Sequence, residues 1–567
     1  MQTTKSQTPV FFGPSMAFGA VIFTILTYLI HKILKIGSRP KGFPPGPPTR
    51  PFYGNLKEAL SLSLSLTYTP SQISTLRPHL TYAAWSQTYG PIYTIMRGPD
   101  PWLVINSAAT AHDIFNKQGQ VTAGRPNMRL DIACRGGYAP AAQSGASWRA
   151  ARKMWHAVLN VGASRAYLPY QELEAEKLVV DVCEDGDAWR THVERFSNSV
   201  AMTMTNGRRT PAAGDPRVRE VMDDLWEISV CALRWAWLDG VAIAWSRWVP
   251  AWMVPGRREA KGFTERHEKM LWRLWNSAFK SPEGAEVVLP SFNKAVQEKL
   301  RAGYQGITER EGTEVTHSLL QAATDTTAST LNIWVAAMAM FPEVQKKAQE
   351  EIDRVVGPNR LPSESDAANL PYTRQCIQEL QRWISVAPLA LPHATTAPMQ
   401  IGEYHIPAGT GLILNTHAIH RDPVAYPEPR EFRPERWEGK LQMVTSDEQV
   451  GARTELFSFG AGRRICPGQH LAERNLFYVC SHLLWAVDIR KKKDAAGKDI
   501  EIDMDDVRPG LVNTMNPFEA DVKPRSTEKS VWAKRNWEQK RSALLDSEEQ
   551  WIQSPEVVES VMARAAR

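Results

Sequence analysis

Phe459-Gly460-Ala461-Gly462-Arg463-Arg464-Ile465-Cys466-Pro467-Gly468 is the stretch on which the reading of this chain turns. It runs into an amphipathic segment, Gln469 to Ala486, that reads as a helix, so Cys466 stands just ahead of a helix N-terminus. There the unpaired N–H groups and the helix dipole stabilise a thiolate, Pro467 opens the helix, and the glycines let the backbone pass close under a flat ligand. Such a thiolate suits a metal. An inert cysteine buried on a glycine turn is the commoner fate of a lone thiol, and the loop by itself leaves both readings open.

The rest of the chain narrows the setting. With 43% hydrophobic and 23% charged residues it is neither disordered nor collagen-like, and a sizeable core is possible. Its 67 Lys and Arg against 61 Asp and Glu leave +6 with no long basic block. That is too dilute for a nucleic-acid surface but compatible with a docking face for an acidic partner. Six cysteines, Cys134, Cys183, Cys231, Cys376, Cys466 and Cys480, lie far apart without CxxC pairs, which argues for reduced thiols rather than a disulfide scaffold or zinc ribbon. The 567 residues would allow several domains, yet no repeat and no linker cuts residues 42–525, so one large domain is expected.

Toward the N-terminus, Val10 to Ile30 carries no charge and is about long enough to span a bilayer as a helix. A cleaved signal peptide competes with that reading, but His31, Lys32 and Lys35 follow where small residues would be needed. Lys5 precedes the run, whereas Lys32, Lys35, Arg39 and Lys41 follow it, which places the bulk of the chain in the cytoplasm. Pro44-Pro45-Gly46-Pro47-Pro48 with Pro51 then predicts a stiff extended spacer. Ile92–Met96 and Trp102–Ile105 read as strands, and long helical patterns follow to about Ser385, so the fold is mainly α with a minor β-sheet. The expected divisions are an anchor with its basic flank over 1–40, one domain over 41–525, and a charged tail over 526–567 that is a peripheral helix or a loose extension. A stretch with Trp235, Trp237, Trp245, Trp248 and Trp252 suits a lipid interface or, equally, a tryptophan-heavy core helix.

Three further patterns accompany the cysteine loop. Glu379 and Arg382 at i, i+3 share a helix face, and Arg436 could complete a charge triad with them. Ala322-Ala323-Thr324-Asp325-Thr326-Thr327 falls inside a long helix from about Val315 to Met340 that Pro342 ends. Threonines there are ordinarily satisfied by bonding to the previous turn. Trp148 and Arg152 lie one turn apart in a basic helical segment, and His393 follows Pro392.

Taken in this order, the motifs resemble those of the cytochrome P-450 family over roughly residues 40–525, membrane-anchored eukaryotic members in particular, and fungal biosynthetic enzymes most. The loop matches Phe-x-x-Gly-x-Arg-x-Cys-x-Gly, from Phe459 through Arg464 and Cys466 to Gly468. The resemblance implies haem b held on the Cys466 thiolate, with Trp148, Arg152, Arg464 and His393 at the propionates; for His393 a satisfied core or surface histidine is an equal alternative. It gives Asp325 and Thr326 the relay of protons to dioxygen, and Glu379, Arg382 and Arg436 a structural role. Ala323 stands where the family usually has glycine, which makes a local helix distortion less certain.

The activity so implied is monooxygenation: one oxygen atom of dioxygen enters an apolar small molecule, by hydroxylation or multistep oxidation, in fungal secondary metabolism. No dinucleotide-binding G-x-G-x-x-G follows a strand, so electrons are expected from NADPH–cytochrome P-450 reductase, with cytochrome b5 as a second donor, in the endoplasmic reticulum membrane. The other partners expected are the substrate and membrane lipid, and no nucleic acid. Rival readings are a haem-thiolate isomerase or dehydratase without reductase, a haem-based sensor, and a xenobiotic-oxidising monooxygenase. The resemblance assigns pocket walls to Met128–Gln143, Val230–Pro255, the Ala323 helix, Ala387–Leu391 and Gly510–Pro517. These are largely apolar, with Arg129, Asp131 and Arg135 as the main charged exceptions.

Overall fold

A computed structural model describes residues 23–24, 27–28, 35–51, 54–55, 77–126, 134, 138–229, 255–280, 287, 289–440, 456–508 and 510–567 of the protein. Strands β1 (Ile92–Arg97) and β2 (Asp100–Ile105) pair antiparallel across the turn Gly98-Pro99, with Ile92 opposite Ile105. Their β-branched and aromatic residues suit a pleated surface. After the short hairpin β4 (Met399–Ile401) and β5 (Tyr404–Ile406), β6 (Gly411–Leu414) joins β2 in parallel, and β3 (His393–Ala394) closes the other edge. Gly411 is required here: a Cβ on it would stand 2.3 Å from the Trp102 ring. The proline-rich segment is no free spacer, because Thr94 donates its N–H to the Pro45 carbonyl at 2.9 Å and its hydroxyl to Pro44 at 2.8 Å. Prolines cannot donate to a ladder but still accept from one.

Helices make up the rest. In chain order the longer ones are α1 (Pro78–Tyr89), α2 (Ala146–Leu159), α3 (Leu168–Glu184), α4 (Trp189–Asn206), α5 (Pro255–Asn276), α6 (Phe292–Arg301), α7 (Glu309–Met340), α8 (Pro342–Val355), α9 (Pro371–Trp383), α10 (Gln469–Ala486), α11 (Thr527–Leu544) and α12 (Glu556–Ala566). Residues 216–229 are also helical. The axis is α7, whose 32 residues span about 48 Å. Thr308 caps it: its hydroxyl accepts from Glu311 N–H, while the Glu311 carboxylate accepts from Thr308 N–H at 2.7 Å. Helices α4, α6 and α10 pack around it, so it is buried on nearly every side. It ends at Met340 before Pro342, as expected from the sequence, but begins at Glu309, ahead of the expected Val315, and Pro342 then opens α8.

Beyond Arg525 the chain is not a loose extension. Ala533 and Trp537 of α11, then Leu545 and Trp551, then Val558, Val561 and Met562 of α12 enter the same core as Trp334 and Trp383. Arg209, wholly buried, presents its backbone N–H to the Gln550 side chain at 2.8 Å and its guanidinium to the Glu549 carbonyl. Most of the segment's charge lies on its outer face; Lys529 is the buried exception, its Nζ donating to Asp353 at 2.8 Å.

Apart from Phe23, Thr24, Thr27 and Tyr28, the run Val10–Ile30 lies outside the described residues, as do Cys231, the Trp235–Trp252 stretch, and Arg129, Asp131 and Arg135. Among the described residues no helix is long and apolar enough to cross a membrane. The other five cysteines are free thiols, in keeping with the expected reduced state.

Trp537 tests the docking of the tail. Trp537→Ala is expected to lower stability by about 3–5 kcal/mol, read as a fall in the urea midpoint. A loss below about 1 kcal/mol would mean that α11 rests on the surface without sharing the core.

Candidate active site

The cysteine loop is built by backbone bonds. Gly460 N–H donates to Phe457 C=O at 2.8 Å, and Cys466 N–H returns to Phe459 C=O at 2.8 Å. Between them Gly462 adopts φ +63, and a Cβ there would lie 2.1 Å from the Phe115 carbonyl, so the close approach of the two loops needs glycine. The adjacent Asn116 side chain accepts from Gly462 N–H at 3.0 Å. Helix α10 then runs from Gln469 to Ala486 as expected, but Gly468 stands at its cap and Pro467, expected to open the helix, lies in the turn before it. An added Cβ at Gly468 would stand 3.8 Å from Cys466 Sγ, directly beside any group bound to the sulfur.

Burial pushes the Cys466 thiol up, opposed by a hydrogen bond from Gly468 N–H and by the charge of Arg152. The helix start alone therefore does not make a thiolate here. A cation bound to the sulfur would, because ligation displaces the thiol proton.

Positive charge gathers next to it. Arg464 donates Nε to Ala123 C=O and Nη2 to Ala142 C=O, both at 2.9 Å, and stacks on buried Trp148 at 3.9 Å. Its Nη1 is buried with no hydrogen-bond partner among the described residues. Arg125, which sequence reasoning missed, is 6% exposed and donates to the Leu391 and Pro392 carbonyls. Burial and the charge of Arg464 depress Arg125, and burial and Arg152 bring Arg464 down to about 10. No carboxylate pairs with Arg125, Arg152 or Arg464 among the described residues. Buried guanidiniums without counter-ions are costly, so this corner is shaped for anionic groups that a ligand supplies. His393 is different: its Nδ1–H donates to Thr122 C=O at 2.8 Å, and burial, with Arg125 nearby, lowers it to about 3. It is an uncharged ring, stacked edge-on against Phe115 at 4.8 Å.

Mid-length on otherwise buried α7, a strip of Ala322, Ala323, Thr326 and Thr330 is left uncovered. A helix walled in by core that bares small residues on one face borders a cavity. The helix runs unbroken through Ala323, and Ser197 of α4 donates to the Ala323 and Thr324 carbonyls at 3.0 and 2.6 Å. Thr326 Oγ1 donates back to Ala322 C=O at 2.6 Å. Asp325 turns to a different space, a cavity of about 130 Å³ with Arg190, Glu194, Arg219, Trp226 and Arg508 in its wall. Burial raises it to about 7, with Arg508 opposing. No hydrogen bond joins Asp325 to Thr326 among the described residues. Arg508, stacked on Trp226 at 3.9 Å, puts a charge in the same cavity wall as residues of Gly510–Pro517.

The predicted charge triad closes as expected. Arg382 grips Glu379 with Nε and Nη2, each at 2.8 Å, Arg436 Nε joins Glu379 at 3.2 Å, and both Glu379 and Arg382 are wholly buried. Trp437 Nε1 and Arg433 N–H complete the carboxylate at 3.0 Å each. Arg382 also donates to His420 C=O, and the His420 ring accepts from Phe457 N–H at 2.9 Å, which ties the triad to the cysteine loop. Neither Trp437 nor His420 carries a local sequence signal for this; only packing brings them in.

A metal on Cys466 beside carboxylates at the arginines is the donor set for haem, whose iron takes a thiolate and whose two propionates need cations. The comparisons agree. The chain matches the Cytochrome P-450 family over residues 44–519. It is 46% identical over 550 residues to the cytochrome P-450 monooxygenase alnH of Emericella nidulans, covering 97% of each chain. Identity to the cytochrome P-450 monooxygenase virE of Hypocrea virens is 36%, covering 96% of each. A solved zebra fish cytochrome P-450 with abiraterone shares the fold at a TM-score of 0.60 and 22% identity, over 79% of this chain and 100% of that one. Cysteine loop, cationic corner and bared helix strip thus meet on a fold whose relatives insert oxygen, and the chain belongs to the cytochrome P-450 family as a haem-thiolate monooxygenase.

Proposed function

We propose that the protein oxidises carbon in an apolar small molecule of fungal secondary metabolism, lodged against the Ala322–Ala323–Thr326 strip of α7. That bared strip is the observation that carries the reading, since two alanines leave volume and no charge beside the site. When bound, haem supplies the activation of dioxygen and the transfer of one oxygen atom. Cys466 would hold it through the thiolate sulfur. Arg125, Arg152 and Arg464, with Trp148 stacked against Arg464, would bind the propionates, and His393 would close the wall as a neutral ring. Phe459 and Gly468 would shape the loop around the bound group, the glycine leaving the Cys466 sulfur uncrowded.

Protons reach the site through Thr326 and Asp325. The Thr326 hydroxyl gives up its bond to Ala322 C=O and presents its proton toward the cavity. Asp325, raised to about 7, exchanges protons near neutral pH on the face of α7 toward the Arg508 cavity, so water must carry its proton to Thr326. Glu379, Arg382 and Arg436 hold the core under the loop and touch no substrate.

Electrons come from NADPH–cytochrome P-450 reductase, with cytochrome b5 as auxiliary donor. Arg149 and Lys153, exposed at i, i+4 on α2 beside the cationic corner, suit an acidic partner. Val10–Ile30 anchors the chain once in the endoplasmic reticulum membrane with the catalytic domain on the cytoplasmic side, supported by the charges that follow it.

Cys466→Ala is expected to abolish the long-wavelength Soret band of the ferrous carbon monoxide complex; if that band survived, another thiol would be the ligand. Arg125→Ala should lower haem retention during gel filtration severalfold, because it removes a buried counter-charge. Full retention would take Arg125 out of the propionate site. Thr326→Ala should keep haem and shift reducing equivalents from product to hydrogen peroxide on the order of tenfold, and unchanged coupling of NADPH use to product would remove its proton role.

A further inference from the structure

The N-terminal half of α7 carries a second group of reactive side chains that monooxygenation does not use. Glu314, His317 and Gln321 lie at i, i+3 and i+7 on one face, and all three are buried. Asp224, from the helical residues 216–229, and His267 of α5 close onto that face, equally buried. Asp224 Oδ2 is the hub: His267 Nδ1 lies 2.9 Å from it, His317 Nε2 3.3 Å and Gln321 Nε2 2.5 Å. The other nitrogen of His267, Nε2, is 3.3 Å from Glu314 Oε1, which Arg310 holds at 2.9 Å.

Hydrogen bonds alone serve this group poorly. To donate to both carboxylates His267 must carry both ring protons; its Nδ1–H is shared between Asp224 Oδ2 and, at 3.0 Å, Oδ1, while His317 and Gln321 both turn to Oδ2. Even so, Gln321 Oε1, Glu314 Oε2 and His317 Nδ1 stay buried with no hydrogen-bond partner among the described residues.

We propose that Asp224 Oδ2, His267 Nδ1 and His317 Nε2 bind a zinc ion. The three ligand atoms lie within 4.8 Å of one another. Their separations from the hub, 2.9 and 3.3 Å, approach the edge of about 3.3 Å in a tetrahedron with zinc bonds of about 2.0–2.1 Å. Gln321 Nε2–H, 2.5 Å from Asp224 Oδ2, orients that carboxylate behind the ion, and a water takes the fourth position, where it can donate to Gln321 Oε1. His267 Nε2–H then donates to Glu314, the carboxylate behind a metal-bound imidazole that fixes its tautomer. With both imidazoles neutral, the ion's two charges balance Asp224 and Glu314. Two imidazoles and one carboxylate select zinc over calcium or magnesium, which require oxygen ligands. The ion ties residues 216–229, α5 and α7 together over the substrate side of the molecule. Cys134, His267 and Glu314 form an overlapping triad that uses the opposite face of the imidazole.

The test uses the full-length holoenzyme, stripped with chelator, equilibrated with zinc sulfate and desalted, with zinc and haem measured per chain. About one zinc per chain is expected, with a rise in the thermal midpoint that chelator reverses. His317→Ala and Asp224→Asn should weaken zinc binding at least tenfold while the carbon monoxide spectrum persists. His317→Gln keeps an N–H for Asp224 but is a poor zinc ligand, so it should lose zinc as well, which separates ligation from hydrogen bonding. Absence of stoichiometric zinc in the unmodified holoenzyme overturns the proposal whatever the variants do. Zinc kept by His317→Ala and His317→Gln overturns it too, as does zinc that is lost only in Cys134→Ser.

Discussion

The grip of Arg382 on Glu379 is the contact on which the cysteine loop depends. Both groups are out of water, where an ion pair recovers its desolvation cost only if every remaining lone pair and N–H is used. Here they are used: Arg436, Arg433 N–H and Trp437 complete the carboxylate, and the carbonyls of His420, Pro429 and Glu431 complete the guanidinium. The cluster thereby fixes the irregular chain between His420 and Trp437 against α9. Through the His420 ring, which accepts from Phe457 N–H, it also fixes where the loop bearing Cys466 begins. The ring's other nitrogen meets Ser385 at 2.8 Å, so the neutral tautomer is set from both sides.

Burial acts on every charged group around the site in the costly direction. It pushes Cys466 and Asp325 up and Arg125, Arg152 and Arg464 down. In a stable core such groups would pair with each other, as Glu174 does with Arg195 and Arg209 at 2.5 and 2.6 Å. Around Cys466 the protein chain leaves them incomplete, and the missing charges are those of haem: a cation for the sulfur and two carboxylates for the arginines. Part of the binding energy of the cofactor is thus prepared as unmet electrostatic demand in the polypeptide.

Helix α7 serves several purposes because its surroundings differ along its length. Toward its start, buried acid and imidazole side chains meet residues 216–229 and α5. At its middle, alanines and Thr326 are left bare. Toward its end, Trp334 and the alanines after it are sealed in the core. Successive residues point 100° apart, so Asp325 and Thr326, adjacent in sequence, open onto different spaces.

What the sequence determined by itself was local: the loop from Phe459 to Gly468, the helix Gln469–Ala486 that follows it, the strands at Ile92 and Trp102, the i, i+3 pair Glu379 and Arg382, and with them the family. Each depends on residues within a turn or a strand of one another, where backbone sterics and hydrogen-bond spacing leave few options. The tertiary structure decided what depends on distant segments. Arg125 is buried by carbonyls at Leu391 and Pro392, His420 becomes a link because Phe457 donates to it, and the charged tail enters the core because Trp537 and Trp551 meet α3 and Arg209. Burial is a property of the packed chain, and it turns an ordinary arginine or acid into a site.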